Sequence, residues 1–180
     1  ATQRFWGALA SIARGVIHEA DAYSGELGLA CPETALTIKP SGTVSKLWAL
    51  TEGAHLPPYV FYLRWVQFTE SDPLIDVYRN LGYPVRGPLN TYKGTYIVGF
   101  PTQTEMSRIC PADKIVTASE ATVEEQFQWV SLIEKYWLSA GRDEYRHRGG
   151  QVSYTLKYNP ERVSYQEFHS MMLEKMPTVK

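Results

Sequence analysis

The segment Lys39-Pro40-Ser41-Gly42-Thr43-Val44-Ser45 concentrates residue types that hold an oxyanion. It falls where a strand can end and a helix begin, so successive backbone N–H groups can converge on one anion. Pro40 lacks a donor but fixes the chain direction, and Gly42 lets an oxyanion approach the backbone with no Cβ in its way. The hydroxyls of Ser41, Thr43 and Ser45 add further donors. A helix dipole would contribute ~0.3–1 kcal/mol, rising towards ~2 in a partly buried site. The expected chemistry is a phosphate cradle formed by Pro40, Ser41, Gly42, Thr43, Val44 and Ser45. It is not a Walker loop, because GxxxxGK[ST] is absent. A plain helix-capping turn would use the same residues.

Other reactive side chains are scattered. His55 follows the cradle in a Gly/Pro-rich turn, where it can touch substrate or stabilise the turn. His147 lies between Arg146 and Arg148, in a loop that either attracts phosphate or is simply solvated. His18 reads as a solvated helix residue, and His169 as a terminal-helix residue without chemistry. The histidines lack HExxH spacing, so no metal site is predicted. Cys31 and Cys110, the only cysteines, do not form a CxxC pair and read as incidental or buried thiols. Tyr59, Tyr62 and the tryptophans read as core or wall residues, with base stacking as the alternative.

Several elements must position the cradle. Phe5, Leu9, Ile12, Val16 and Ala20 recur at helical spacing, predicting a helix over residues 2–21, and Tyr23 to Glu33 reads as a connection. Ala35 to Lys39 reads as a short buried strand stopped by Pro40, with a short helix from about Thr43. Val60 to Thr69 is a strand, and Ser71 caps a helix with Leu74, Val77 and Leu81 on one face. Tyr83 to Lys93 reads as loop, Thr95 to Phe100 as a strand ending at Pro101, and Glu105 to Ser119 gives no clear period. Thr122 caps the clearest helix, with Val123, Phe127, Val130, Ile133 and Trp137 buried and Gly141 as the stop. Val152 to Tyr158 is a fourth strand, and Ser164 with Glu167 makes a capping box for a last helix through Phe168, Met171, Met172 and Met176. Helices and strands alternate, which predicts α/β architecture with parallel pairing.

Composition limits the partners. The 180 residues carry 18 Lys+Arg and 19 Asp+Glu, a net charge of −1, which argues against a nucleic-acid coat or an anionic-membrane binder. Apolar stretches are broken by Arg14, Lys46 or Arg64 before the ~20 residues a membrane helix needs, and no secretory start is visible. A cytoplasmic protein is expected, as one domain or one piece of a larger one. The absence of Met at Ala1 suggests a trimmed chain or one cut from something longer.

Thr37 to Ser45, followed by Glu52-Gly53-Ala54-His55-Leu56-Pro57 and Tyr62-Leu63-Arg64-Trp65-Val66-Gln67-Phe68, resembles the C-terminal part of a ribonucleotide reductase catalytic chain. The similarity is greatest to the monomeric, adenosylcobalamin-dependent class II type. It continues through Asp72-Pro73-Leu74, Gly82-Tyr83-Pro84, Gly99-Phe100-Pro101 and Gln151-Val152-Ser153. Three positions depart from the family pattern: Leu56 and two prolines follow His55, Gly150 replaces an Asn, and Trp65 replaces an Arg.

The resemblance implies that residues 1–180 are a single C-terminal segment of an α/β barrel whose remainder lies outside this chain. It also implies that Pro40 to Ser45 hold the phosphates of a ribonucleoside triphosphate, which the complete enzyme reduces by thiyl-radical chemistry. The family's radical cysteine, in an Asn-Pro-Cys-Gly-Glu context, has no counterpart here, nor do its redox pair and C-terminal cysteine tail. The chain alone should therefore be inert. The remaining N-terminal part of the reductase would supply the cysteines and the adenosylcobalamin site, and a dithiol such as thioredoxin the electrons. The alternative is a non-catalytic nucleotide-binding or assembly module derived from a reductase.

Overall fold

The computed structural model describes residues 2–41, 44–48, 50–90, 93–141 and 149–175. In chain order its elements are α1 (Gln3–Glu26), β1 (Leu36–Ile38), α2 (Val44–Leu47), β2 (Phe61–Thr69), α3 (Leu74–Asn80), β3 (Val85–Arg86), β4 (Thr95–Gln103), α4 (Met106–Ile109), α5 (Val123–Ile133), β5 (Gly149–Val152) and α6 (Tyr165–Lys175). A 3-10 turn lies at Ala112–Lys114 and a π turn at Glu134–Leu138. The chain divides into two compact units, Ala1–Pro58 with Val116–Lys180, and Tyr59–Ile115.

The mixed helix-and-strand character is as expected, but the pairing is only partly parallel. β1 and β5 are parallel, with Leu36 opposite Gly149 and Ile38 opposite Val152. β2, β4 and β3 form an antiparallel sheet in the order β2-β4-β3. β3 lies inside the expected Tyr83 to Lys93 loop, and a short connection from it to β4 favours antiparallel return. Among the described residues neither sheet closes on itself.

In the first unit, the Thr2 hydroxyl accepts the Phe5 amide and opens α1. The helix runs past Asp21 to Glu26, correcting the expected connection from Tyr23, and ends before Gly28, which is left-handed at φ +65°. Its buried residues are Trp6, Ala10 and Ala13, whereas Phe5, Ile12 and Val16 of the expected stripe are exposed. Both sets have helical spacing, so period alone could not choose between them. Trp6 decides the face by stacking on Tyr136 at 5.4 Å and packing against Trp129 at 5.5 Å. The small Ala10 lets the following backbone approach, since a Cβ on Gly141 would stand 3.0 Å from the Ala10 Cβ.

α5 begins in a capping box between Thr122 and Glu125 and buries Val123, Phe127, Val130 and Ile133, as expected. Gln126, on the same helix, is also fully buried. The π turn then inserts an extra residue per turn, so Leu138 takes the buried place expected for Trp137, which is half-buried. α6 starts at the Ser164–Glu167 capping box, whose hydrogen bonds from the Ser164 amide and hydroxyl hold the Glu167 carboxyl below its usual range. Phe168 stacks on Tyr158 at 4.3 Å. Met176 lies outside the described residues.

In the second unit, α3 buries Ile75 and leaves the expected face of Leu74, Val77 and Leu81 exposed. Tyr78, one turn from Ile75, meets Phe68 and Phe100 at 5.7 and 5.0 Å, and this aromatic cluster sets the rotation of the helix. The Asp72 carboxylate, rather than Ser71, accepts the Leu74 amide. β4 runs through Pro101 instead of ending there. The Gly99 amide points to the Pro84 carbonyl, away from β2, and by alternation so does the Pro101 nitrogen, on a side where β3 has already ended. On the other face, a Cβ on Gly99 would stand 3.2 Å from the Trp65 ring, which also carries the Arg86 guanidinium at 4.4 Å. The 105–119 stretch holds only α4 and the 3-10 turn.

The rotation of α1 sets a direct test by urea unfolding. Trp6→Ala should cost ~3–5 kcal/mol and Ile12→Ala less than ~1. The reverse order would return the helix to the expected face.

Candidate functional site

The three residues of β1 are gripped from both sides. The Ser153 amide donates to the Ile38 carbonyl at 2.9 Å, the Thr37 hydroxyl donates to the Gln151 carbonyl at 2.9 Å, and the Trp137 indole donates to the Thr37 carbonyl at 3.3 Å. Leu36 is buried with Ala13, Leu138 and Ala140. This strand delivers the chain to Lys39, Pro40 and Ser41, all exposed.

The cradle is only partly visible. Gly42 and Thr43 lie outside the described residues, and so does His147. The Val44 amide donates to the Ser41 carbonyl at 3.3 Å, so this donor turns inward rather than towards a ligand. α2 is four residues long, too short for the dipole contribution expected of a longer helix. Ser45 is the unusual member: its residue is 8% exposed and its hydroxyl oxygen is buried without a hydrogen-bond partner among the described residues. Buried hydroxyls are normally paired, and an unpaired one costs ~1–3 kcal/mol.

A turn braces the strand end next to the cradle. Gly53 has φ +57°, and a Cβ there would stand 2.6 Å from the Lys39 carbonyl oxygen, so this close approach requires glycine. The Trp129 indole donates to the Ala54 carbonyl at 2.8 Å. Both nitrogens of His55 are engaged by protein groups, Glu52 at one end and Thr155 at the other, which favours turn stabilisation over substrate contact.

The strand expected over Val152 to Tyr158 is displaced towards the N-terminus: β5 covers Gly149–Val152, and residues 153–158 form no strand because side chains take several of their backbone groups. Gln126 donates to the Lys157 carbonyl at 2.7 Å and accepts the Lys157 amide at 3.1 Å. It also accepts the Tyr154 hydroxyl at 3.3 Å. The sequence does not single out Gln126, Tyr154 or Thr155, and it places Gly53 only in a turn. A polar residue on the α5 stripe was the available signal for Gln126; the others depend on partners far along the chain.

Cys31 is exposed and Cys110 half-buried, both free. Among the described residues there is no cluster of three or more His, Cys, Asp or Glu side chains suited to a metal, and no helix is long and apolar enough to cross a membrane.

No family model matches the sequence. Over 127 residues it is 32% identical to an adenosylcobalamin-dependent ribonucleoside-triphosphate reductase of Lactobacillus acidophilus, covering 71% of this chain and 16% of that protein. A protein of the same description from Levilactobacillus brevis is 29% identical over 160 residues, 88% of this chain and 19% of the relative. The chain is a homologue of one segment of the adenosylcobalamin-dependent ribonucleoside-triphosphate reductases. It spans about a sixth of the length of these reductases. A crystal structure of a B12-dependent, class II ribonucleotide reductase matches 99% of the chain with a TM-score of 0.76 at 22% identity, using 23% of that chain. The two share a fold over this span.

Burial pushes the Tyr154 hydroxyl up to about 12 from an ordinary value of 10.0. A raised folded-state value gives stability that is present below pH 10 and lost as pH rises towards 12. The urea midpoint should therefore fall across that window, and Tyr154→Phe should flatten part of the fall. An identical decline in both proteins would assign it to other tyrosines.

Proposed function

We propose that this chain is the substrate-phosphate-binding portion of a class II ribonucleotide reductase. Within the loop from Pro40 to Ser45, Ser41, Gly42, Thr43 and Ser45 hold the phosphates of a ribonucleoside triphosphate, which the complete enzyme converts to the 2′-deoxyribonucleotide, while Pro40 sets the chain direction and the Val44 amide closes the turn on Ser41. The observation that carries this reading is the buried Ser45 hydroxyl, unpartnered among the described residues, four positions after exposed Ser41 in the loop that follows a strand of a parallel pair. A phosphate oxygen would supply the missing partner, and ligands commonly lie at the carboxyl ends of parallel strands. The homology covers the same loop.

The rest of the machinery belongs to the remaining N-terminal part of the reductase. Residues 1–180 form one continuous C-terminal segment, in which β1 and β5 contribute strands to the α/β barrel. Phe5, Ile12, Val16 and Tyr23 make a second, exposed apolar stripe on α1, and a helix apolar on two faces is buried on both. The remaining barrel covers that stripe. The grooves beside α6, about 500 and 600 Å³, are open and edged by charged side chains such as Arg162, Glu167, Glu124 and Lys175, and neither suits a corrin. Adenosylcobalamin would be held by the remaining part of the complete enzyme, where it would supply the radical chemistry. A dithiol such as thioredoxin supplies electrons, and the enzyme works in the cytoplasm. This chain's contribution is to bind and orient the triphosphate.

Ser45→Ala separates a ligand hydroxyl from a structural one. It should leave the melting temperature unchanged or raised, because an orphaned polar group is removed, yet weaken binding of inorganic tripolyphosphate by calorimetry by ~0.5–1.5 kcal/mol, or ~1.5–3 if charge-assisted. Gly42→Val should weaken tripolyphosphate far more than an unphosphorylated nucleoside. Unaltered affinity in both variants would leave Pro40 to Ser45 as a helix-capping turn.

A further inference from the structure

His55 joins two segments a hundred residues apart in sequence. Its Nδ1 lies 2.8 Å from the Glu52 carbonyl oxygen, while its Nε2 lies 3.0 Å from the Thr155 amide nitrogen and 3.2 Å from the Thr155 hydroxyl. A backbone N–H can only donate, so Nε2 is the bare acceptor. A carbonyl can only accept, so Nδ1 carries the proton. The two contacts together select the neutral Nδ1–H tautomer. The ring also stacks on Tyr154, with centroids 5.3 Å apart and planes 12° from parallel.

Each joined segment presses on the end of β1. From the His55 turn, Gly53 approaches Lys39 so closely that a Cβ would stand 2.6 Å from its carbonyl oxygen. From the Thr155 side, the Ser153 amide bonds the Ile38 carbonyl at 2.9 Å. Lys39 leads directly into Pro40 and Ser41. The bracket closed by His55 thus surrounds the last fixed residues before the cradle.

We propose that His55 is a positioning residue for the phosphate loop, acting through its Nδ1–H tautomer to lock the Glu52–His55 turn onto the Ser153–Thr155 backbone. Its ligand effect rests on the cradle reading above. The imidazole does not touch phosphate, since both nitrogens are already taken. Its influence passes through the position of Lys39 and Pro40.

Side chains that mimic one nitrogen at a time test this. Gln places its amide near Nε2 and keeps an acceptor for the Thr155 amide, whereas Asn places its amide near Nδ1 and keeps only the local bond to Glu52. In the full chain, His55→Ala and His55→Asn should lose about tenfold in tripolyphosphate affinity and His55→Gln no more than about threefold. Nitrogen-15 NMR of the wild-type imidazole should show Nδ1 protonated and Nε2 bare, with and without tripolyphosphate. Affinity equal to wild type in the Ala and Asn variants overturns the proposal, and so does an Nε2–H tautomer. If the wild-type chain binds no tripolyphosphate, the cradle reading fails and the ligand effect with it. The bracket is then judged by hydrogen exchange: a Ser153 amide that exchanges at least about fivefold faster in His55→Asn than in His55→Gln upholds it, and equal rates reject it.

Discussion

The first unit depends on how a strand of only three residues is held. β1 is too short to be stable through one ladder, and β5, its one strand partner among the described residues, pairs with it irregularly, three residues of one against four of the other. Further bonds hold it: the Thr37 hydroxyl donates to the Gln151 carbonyl, the Trp137 indole to the Thr37 carbonyl, and the Ser153 amide to the Ile38 carbonyl. Glycine makes the approach possible. A Cβ on Gly149 would stand 2.5 Å from the Leu138 Cβ, and one on Gly53 would stand 2.6 Å from the Lys39 carbonyl oxygen. Backbone therefore packs against backbone and side chain on both sides of the strand, and the loop that follows inherits a fixed starting point.

The same constraint explains why polar side chains occupy the interior nearby. Ser153 to Lys157 departs from β5 and carries backbone groups that must be paired. Gln126 satisfies both groups of Lys157 while fully buried, and His55 takes the Thr155 amide. Each is matched to a donor or acceptor at a definite place, so an apolar residue of similar size would leave backbone unpaired. Tyr154 ties them together, its ring on His55 and its hydroxyl on Gln126.

The second unit is organised differently. Its antiparallel sheet is set by side-chain pairs across the strands, with Trp65 lying over Gly99 beneath Arg86 on one face and Phe68, Tyr78 and Phe100 clustered on the other. Aromatic area here does what close backbone approach does in the first unit. The chemistry proposed above lies wholly in the first unit, where the strand end and its bracing turn are specified by hydrogen bonds with few alternatives.

Signals that act within four residues could be read from sequence alone. The Thr122 cap, the Ser164–Glu167 box, the buried face of α5, the β2 strand and the strand-to-helix setting of Pro40 to Ser45 all arise from neighbours along the chain. Tertiary structure alone decided between choices that were locally equivalent. α1 carries two apolar stripes of equal period, and only the partners of Trp6 select one; α3 likewise turns Ile75 and Tyr78 inward because an aromatic cluster awaits them. The π turn moves burial from Trp137 to Leu138, a phase shift no periodicity announces. His55 shows the limit most clearly. Its sequence neighbours permit either substrate contact or turn stabilisation, and its role was decided by Thr155, whose distance along the chain hides the pairing until the fold brings the two together.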